Sequence, residues 1–513
     1  MKKNILTLLL VSMGVVASAQ TEYDALRLTQ TDLNGTARYM SMGGAFGALG
    51  GDASALKDNP AGLGVYRSSE ISATVNTAVQ GTNATWYGTD SKEDSYKLVF
   101  NNIAYVWAVP MWQDKTEGLL SSNFSFAYNR NHNFNRKMNA NGVTNSSFTD
   151  FLSNFTNGLT ESALQLDNNP YNNTNVPWLS VMGYQGYLIS PVSESSTNWE
   201  SAFGQTQAPA TSSYISETGY DNDYSFGWGG NWNNKFFLGA NLNFSDISYT
   251  LKETLTEDFG NIGNFDLLSY LHQEGMGINL KVGAIYLPTN NLRLGVAVHS
   301  PTFYSISETN YADLNYDNPA YDTPTTNAIG TEQSPSNTQD FNVRSAFQAQ
   351  FSAAYLFGKS GLISAEYNFV NYPGMRLSDS GGDSKAFLPE NNGMSYVMRN
   401  GNVLKLGAEV KLDPTLSLRA GYALYTGVTN PNYTEGKALR LNSVNTNTEY
   451  FNQYDSNYAT FGMGYRQPGW FIDFAYALKM QKEDFYPYQY SALKPAIVKT
   501  NTHNILVTLG FKL

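Results

Sequence analysis

The C-terminal nine residues have a large apolar side chain at every second position. The apolar set is Ile505, Val507, Leu509, Phe511 and Leu513. Successive side chains of a β-strand point to opposite faces, so a period of two predicts a strand with one apolar face. A helix cannot keep these residues on one side, and the pattern therefore favours a sheet.

The same alternation recurs upstream in pairs of segments joined by short turns. These turns are Asn233-Asn234, Pro288 to Asn291, Gly358 to Gly361, Asp413-Pro414 and Arg466 to Gly469. Long polar stretches, such as 310–339, 373–400 and 426–455, follow the returning strands. Short turns at one end and long loops at the other are typical of outer-membrane barrels, whose short turns are periplasmic. With weaker strands near 70–79, 96–108 and 119–131, the pattern predicts an all-β transmembrane antiparallel barrel of about 14 strands.

Composition narrows the class of protein. The 513 residues include no cysteine, so disulfides and zinc–thiolate sites are excluded. A net charge of −11 argues against nucleic acid as a partner. We find neither a G-x-S-x-G nor an H-E-x-x-H motif, and no nucleotide-binding unit follows the glycines at 43–51. We therefore expect no enzyme activity, no metal and no cofactor.

The first residues predict export. Lys2 and Lys3 precede a short apolar run, and Ala17-Ser18-Ala19 has the form of a cleavage site, so residues 1–19 are interpreted as a signal peptide. An aromatic residue near the end of the last strand resembles the signal read by the barrel-assembly machinery, which is therefore an expected partner. Together these features predict a multi-pass barrel in the bacterial outer membrane.

Residues 20–68 do not follow the strand pattern. The stretch from Met42 to Gly51 is rich in glycine, Ala53 to Lys57 could form one helical turn, and Asn59-Pro60 would end it. Irregular backbone at membrane depth is tolerated where protein or water encloses it. We expect this segment to be a plug in the lumen of a barrel formed by residues 69–513; the alternative is a periplasmic tail.

The amino-acid sequence of this segment resembles that of a known family. Ala37 to Phe46, Asp52 to Ala55 and the motif Asn59-Pro60-Ala61-Gly62 resemble the hatch of FadL/TodX-like outer-membrane transporters of long-chain fatty acids and hydrocarbons. The resemblance extends to the second half of the chain, including 277–304, and is poor from about 80 to 220. It implies a fourteen-stranded barrel, an N-terminal hatch, and passive passage of hydrophobic compounds that leave sideways into the membrane. A related branch of outer-membrane proteins, which serves protein secretion, has a similar N-terminal sequence.

The largest loop, predicted at about 133–221, is not uniformly polar. Phe148, Phe151, Leu152, Phe155 and Leu159 have the spacing of an amphipathic helix of about three turns. The resemblance implies that long outer loops build a hydrophobic capture groove, and an alternative is a small core that caps the barrel. The candidate substrate-binding residues are Phe151, Phe155, Leu159, Trp178, Tyr184 and Tyr187.

Alternation also assigns charged residues to the lumen. The principal ones are Arg293, Lys405, Glu409 and Arg419, and Lys281, His299, Glu366 and Asp473 belong to the same set. A basic group could meet a fatty-acid carboxylate, but we favour a structural network of paired charges, because unpaired buried charge is costly. The four histidines follow no ligand pattern that would favour haem.

Two functions from different classes remain at this point. The first is a monomeric channel for passive uptake of hydrophobic compounds such as long-chain fatty acids, in contact with outer-membrane lipid. The second is a non-transporting scaffold or a secretion-associated barrel protein. The first predicts an apolar cavity near the outer loops and a gap or inward kink in the wall, and the second predicts a continuous wall and a filled lumen.

Overall fold

A computed structural model describes residues 21–111, 117–165, 169–204, 208–321, 328–430 and 444–513. The predicted signal peptide, residues 1–19, lies outside the described residues. Fourteen antiparallel strands close into a barrel, which confirms the predicted class and number of strands. Closure is made by the first and last strands, which pair from Glu70↔Lys512 to Thr85↔Ile497.

The strands are long, and four of them consist of two segments. In chain order they are β1 (Glu70–Trp86), β2 (Thr89–Pro110), β3 (Leu119–Asn133 and Arg136–Val143), β4 (Ala210–Trp232), β5 (Phe236–Asp258), β6 (Asn264–Tyr286), β7 (Leu292–His299 and Phe303–Asp317), β8 (Asn337–Arg344 and Phe347–Leu356), β9 (Gly361–Asn371, followed by Arg376–Asp379), β10 (Gly401–Lys411), β11 (Leu416–Tyr425), β12 (Tyr450–Arg466), β13 (Trp470–Tyr486) and β14 (Ala496–Lys512). Within the described ranges, three shorter strands lie in outer loops: Ile189–Pro191, Trp199–Ser201 and Ile329–Gln333.

Side chains alternate across the wall as the sequence predicts. Along β14, Ile505, Leu509 and Phe511 are exposed, whereas Leu506 and Thr508 between them are buried. The exposed apolar side chains continue around the barrel on β2, β3 and β8, for example at Phe100, Phe124 and Phe351. An apolar outer band with a mixed interior is what a transmembrane barrel presents to lipid and to its lumen.

Helices are short and lie in the N-terminal segment and the outer loops. They are α1 (Glu22–Arg27), α2 (Ala37–Ser41), α3 (Phe148–Thr156), α4 (Glu161–Leu164), α5 (Trp178–Gln185) and α6 (Leu388–Val397). Short 3₁₀ helices are formed by Ala53–Lys57, Pro60–Val65, Pro170–Asn172, Gly260–Ile262, Tyr372–Gly374 and Ser384–Phe387. Within the described ranges, no helix combines the length and apolar character needed to cross a membrane.

Several strand ends differ from the sequence prediction. Strand β3 continues to Val143 and β4 begins at Ala210, so the largest loop spans 144–209 rather than 133–221. At the same outer end, β1 and β2 are joined by the two-residue turn Tyr87-Gly88, and β5 and β6 by residues 259–263. These strands project beyond the apolar band. Their outward residues there are polar, such as Lys92 and Asp94, so apolar and polar residues do not alternate and the sequence pattern does not predict a strand.

The N-terminal segment, residues 21–68, contacts inward-facing groups on opposite sides of the barrel. Ala37 N donates to Thr508 Oγ1 of β14 at 2.7 Å, and Gly47 N donates to Glu366 Oε2 of β9 at 2.9 Å. From the other side, Asn123 of β3 donates to Leu63 O at 2.8 Å, and Asn241 of β5 donates to Leu56 O at 2.7 Å. The segment's irregular backbone is therefore satisfied by the inner wall.

Candidate functional site in the barrel lumen

The motif Asn59-Pro60-Ala61-Gly62 joins the N-terminal segment to the wall. Asn59 Oδ1 accepts from Ala61 N at 3.1 Å and caps the Pro60–Val65 turn, in which proline at the first position suits the fixed φ of that residue. Asn59 Nδ2 donates to Gly47 O at 2.7 Å and to Ala284 O of β6 at 3.3 Å. One side chain thus holds two parts of the segment against β6.

Glycines of the wall make this close approach possible. A Cβ at Gly283 of β6 would clash with Asn59 Oδ1, and one at Gly239 of β5 would clash with the carbonyl group of Pro60. Gly62 in turn packs against Gly50 of the segment, whose φ of +60° lies in the left-handed region. The motif therefore packs against the inner wall at Gly239 and Gly283, which we call the glycine seat.

A first cluster of charges ties the segment to β9 and β10. Lys405 Nζ lies 2.8 Å from Glu366 Oε1 and 3.1 Å from Asp58 Oδ2. The hydroxyl of Tyr39 donates to the same Asp58 carboxylate. Burial opposes ionisation of Asp58, but the positive charges of Lys405 and Lys57 hold the pKa of its carboxyl below the usual value.

A second cluster spans β10, β11 and β13. Arg419 lies 2.6 Å from Glu409 Oε2 and 2.6 Å from Asp473 Oδ1. Arg38 of α2 approaches the same Glu409 oxygen at 3.3 Å. Three of the four principal lumen charges, Lys405, Glu409 and Arg419, are therefore within ion-pair distance of an opposite charge. The fourth, Arg293, has no carboxylate within 4.0 Å among the described residues.

The wall is divided between β2 and β3. Their ladder runs from Pro110↔Ser121 to Asn102↔Asn129, and Asn102 Nδ2 donates to Asn129 Oδ1 at 2.7 Å at its last step. Beyond this step, β4 is the one neighbour with which β3 pairs among the described residues. Here β3 shifts register between Arg130 and His132 and is interrupted after Asn133. Farther out, Ser91 Oγ of β2 donates to the Asn139 carbonyl of β3. We call the interval between these two contacts the window.

A lumen cavity of about 210 Å³ reaches the window. It is lined on one side by α1 and the residues after it, including Arg27 and Asp32, and on the other by Val99 of β2 and Arg136 of β3. The cavity was expected to be apolar, but its lining mixes aromatic rings with charged groups. An amphiphilic guest would satisfy both kinds of surface better than a hydrocarbon.

Charged groups in this cavity are paired across long sequence separations. Arg136 lies 2.5 Å from Glu217 of β4 and 2.6 Å from Glu483 of β13. Asp32 lies 2.7 Å from Lys479 and 2.9 Å from His132. Burial opposes ionisation of Asp32, but its interactions with His132 and Lys479 outweigh burial and hold the pKa of its carboxyl below the usual range. Arg136 and Asp32 were not predicted, because their partners lie in distant strands.

The six candidate loop residues lie in or beside one apolar cluster over the outer mouth. Phe151 and Phe155 stack at 5.9 Å, Trp178 is buried, and Tyr184 contacts Trp199 edge to face at 5.6 Å. Leu159 packs against the same cluster, whereas Tyr187 contacts Tyr316 and Tyr321. None of the six residues lines the lumen cavity.

The helix of this loop is shorter than predicted. Helix α3 spans nine residues and ends at Thr156, so Leu159 lies outside it. The helix ends because Asn157 is extended and Gly158 has a φ of +97°. We call the described residues 144–165 and 169–204 the outer cap.

The fold is similar to that of solved outer-membrane channels. A FadL homologue of Pseudomonas aeruginosa has a TM-score of 0.50 and 13% identity, covering 94% of this chain and 99% of that chain. The P. putida toluene transporter TodX gives the same four values. A deltaS2 mutant of the TodX monoaromatic hydrocarbon channel has a TM-score of 0.53 and 12% identity, covering 94% and 100%.

Sequence comparison adds no closer relative. No family model matches the sequence, and no curated protein matches it. The structural likeness therefore establishes the fold, which is that of the FadL/TodX-like barrels.

Proposed function

We propose that the protein is an outer-membrane channel for passive uptake of hydrophobic compounds with a polar group, such as long-chain fatty acids. The observation that carries the proposal is the window. A closed sheet satisfies its backbone by pairing every strand with both neighbours, so an interruption at membrane depth requires another role. The cavity that reaches this interruption suggests such a role, which is an exit from the lumen.

In this proposal the N-terminal segment acts as a hatch that blocks straight passage. Its contacts with β3, β5, β9 and β14 leave the lumen filled below the cavity. A guest that passes the outer cap then leaves through the window into the lipid. The apolar tail meets lipid-facing side chains there, while its polar group is accommodated by uncharged polar side chains of the cavity, such as Gln30 and Asn101.

A substitution that fills the cavity at the window tests this proposal. Val99 lines the cavity and is 7% exposed, whereas its neighbour Leu98 is 60% exposed on the outer surface of β2. In a host that lacks its own fatty-acid channel, we expect the wild-type protein to restore uptake of labelled oleate. Val99→Trp should abolish most of that uptake, and Leu98→Trp is the matched control that should retain it.

A non-transporting scaffold is the second candidate, and the outer cap favours it. The buried cap residues Phe148, Leu152 and Met182 form one apolar cluster with inward-facing strand residues such as Phe265 and Leu314. A cap of this kind would also suit a barrel that displays loops to a protein partner. Correctly inserted wild-type protein that gives no uptake above the empty vector would reject the channel and favour the scaffold.

A further inference from the structure

A second cavity lies at the end of the barrel that carries the short turns. Its volume is about 260 Å³. The N-terminal segment contributes Leu49, Gly50, Gly51 and Val65, and the β8–β9 turn contributes Gly358 and Lys359. Because short turns are periplasmic in outer-membrane barrels, this cavity faces the periplasm.

Its lining is strongly positive for a protein with a net charge of −11. Arg38, Arg293, Lys359 and Lys411 line it, and the only acidic lining residue described is Glu409. That carboxylate is already bound by Arg419 at 2.6 Å and by Arg38 at 3.3 Å. The cavity therefore has an excess of positive charge that its own carboxylate does not neutralise.

Arg293 is the group that most requires an additional partner. Its Nη1 donates to Leu49 O at 2.8 Å, but its Nε is buried and has no hydrogen-bond acceptor in the described parts of the chain. No carboxylate of the described residues lies within 4.0 Å of it. Leaving a charged donor buried without an acceptor is costly, so native sites normally fill such positions.

We propose that this cavity binds an oxyanion, a phosphate or carboxylate group, presented from the periplasmic side. A guanidinium presents paired N–H donors that match the oxygens of either group, and two lysines add positive charge at the rim. Pockets for drug-sized ligands begin near 300 Å³, so this cavity suits an anionic group with a short substituent. The inference is independent of the proposed transport and would stand if uptake were absent.

An apolar groove marks one source of such an anion. It has a volume of about 400 Å³ and lies outside the same β8–β9 turn, where Phe357, Ile363, Val410 and Phe461 line it. The groove and the cavity share Gly361, Leu362 and Glu409 in their linings. An anionic phospholipid of the inner leaflet could place an acyl chain in the groove and its phosphate at the rim, whereas free phosphate would use the cavity alone.

Calorimetry on the full-length protein in a nonionic detergent tests the proposal and separates the two sources. One titration uses inorganic phosphate, and parallel titrations use short-chain phosphatidylglycerol and short-chain phosphatidylcholine. We expect the protein to bind phosphate or phosphatidylglycerol and to bind phosphatidylcholine more weakly. Tighter binding of phosphatidylglycerol than of phosphate would identify a lipid head group as the ligand, and the reverse would identify a free anion.

Variants locate the binding in this cavity. Arg293→Gln should weaken anion binding by about tenfold, the effect of losing one charge-assisted hydrogen bond. Arg293→Lys should retain part of the affinity, and Lys385→Gln in an outer loop is the charge-matched control that should retain all of it. If Arg293→Gln does not fold, the double variant Lys359→Gln/Lys411→Gln at the exposed rim replaces it. Absence of anion binding in the wild type, or unchanged binding in the cavity variants, would overturn the proposal.

Discussion

The two ends of the lumen are closed by different kinds of contact. Toward the periplasm, hydrogen bonds, ion pairs and glycine seats hold the N-terminal segment, as at Asn59, Lys405 and Arg419. At the outer mouth the cap closes over an apolar cluster that includes Phe148 and Leu152. Directional contacts require one geometry, whereas apolar packing mainly requires the right volume.

This difference determines how each end should respond to substitution. A buried ion pair that loses one partner leaves the other charge uncompensated, and its cost exceeds what the intact pair contributed. An apolar side chain that is replaced by one of equal volume leaves nothing unsatisfied. We therefore expect the periplasmic end to be sensitive to conservative changes and the outer mouth to tolerate them.

The largest loss of stability is expected when Arg419 is replaced. Arg419→Met leaves the buried carboxylates of Glu409 and Asp473 without their shared partner and should lower the free energy of unfolding by about 3–5 kcal/mol. Arg466→Met is the control, because Arg466 is partly exposed and lies 3.5 Å from Asp473. Thermal unfolding in detergent, followed by the heat-dependent shift in gel mobility, measures both. Equal losses in the two variants would show that the cluster is not the sensitive element.

A smaller effect is expected at the glycine seat. Gly283→Ala places a methyl group against Asn59 Oδ1 and should cost about 1–3 kcal/mol through overpacking. It should also loosen the N-terminal segment, which limited proteolysis would detect as faster cleavage between residues 21 and 68. Gly469→Ala, in the β12–β13 turn, is the control because its Cβ would meet no atom within 4 Å.

A double-mutant cycle sharpens this test. Asn59→Ala removes the oxygen that the new methyl group meets, so the double variant should be less destabilised than the sum of the two single variants. Additive losses would mean that Gly283 acts on the fold in some way other than by receiving Asn59.

Much of the barrel wall could be predicted, because the alternation of apolar residues along a strand indicates which face of the sheet each residue is on. Lys405, Glu409 and Arg419 were assigned to the lumen from period-two patterns alone, and all three are buried there. The same reasoning could not detect the window. The outward side chains Leu98 and Phe100 continue the pattern through the part of β2 that pairs with β1 but not with β3, because alternation depends on strand conformation and not on a second neighbour.

The partners of the lumen charges could not be predicted either. Arg136 meets Glu217 and Glu483, and the second of these lies in β13. Nothing local to Arg136 distinguishes it from a solvated arginine. Closure of the barrel, through the β1–β14 ladder, is what brings these residues to one cavity.

The smallest effect is expected in the outer cap, where the comparison between the two ends can be made directly. Leu152 is fully buried, and its side chain fills the space beside Gly183 of α5. Leu152→Met keeps the volume and should cost less than about 1.5 kcal/mol. Arg419→Lys is similarly conservative, but a lysine cannot bind two carboxylates with a planar fork and should therefore cost more than Leu152→Met. If thermal unfolding ranks the two variants in the opposite order, the cap is the specifically packed end and the charge cluster is the adaptable one.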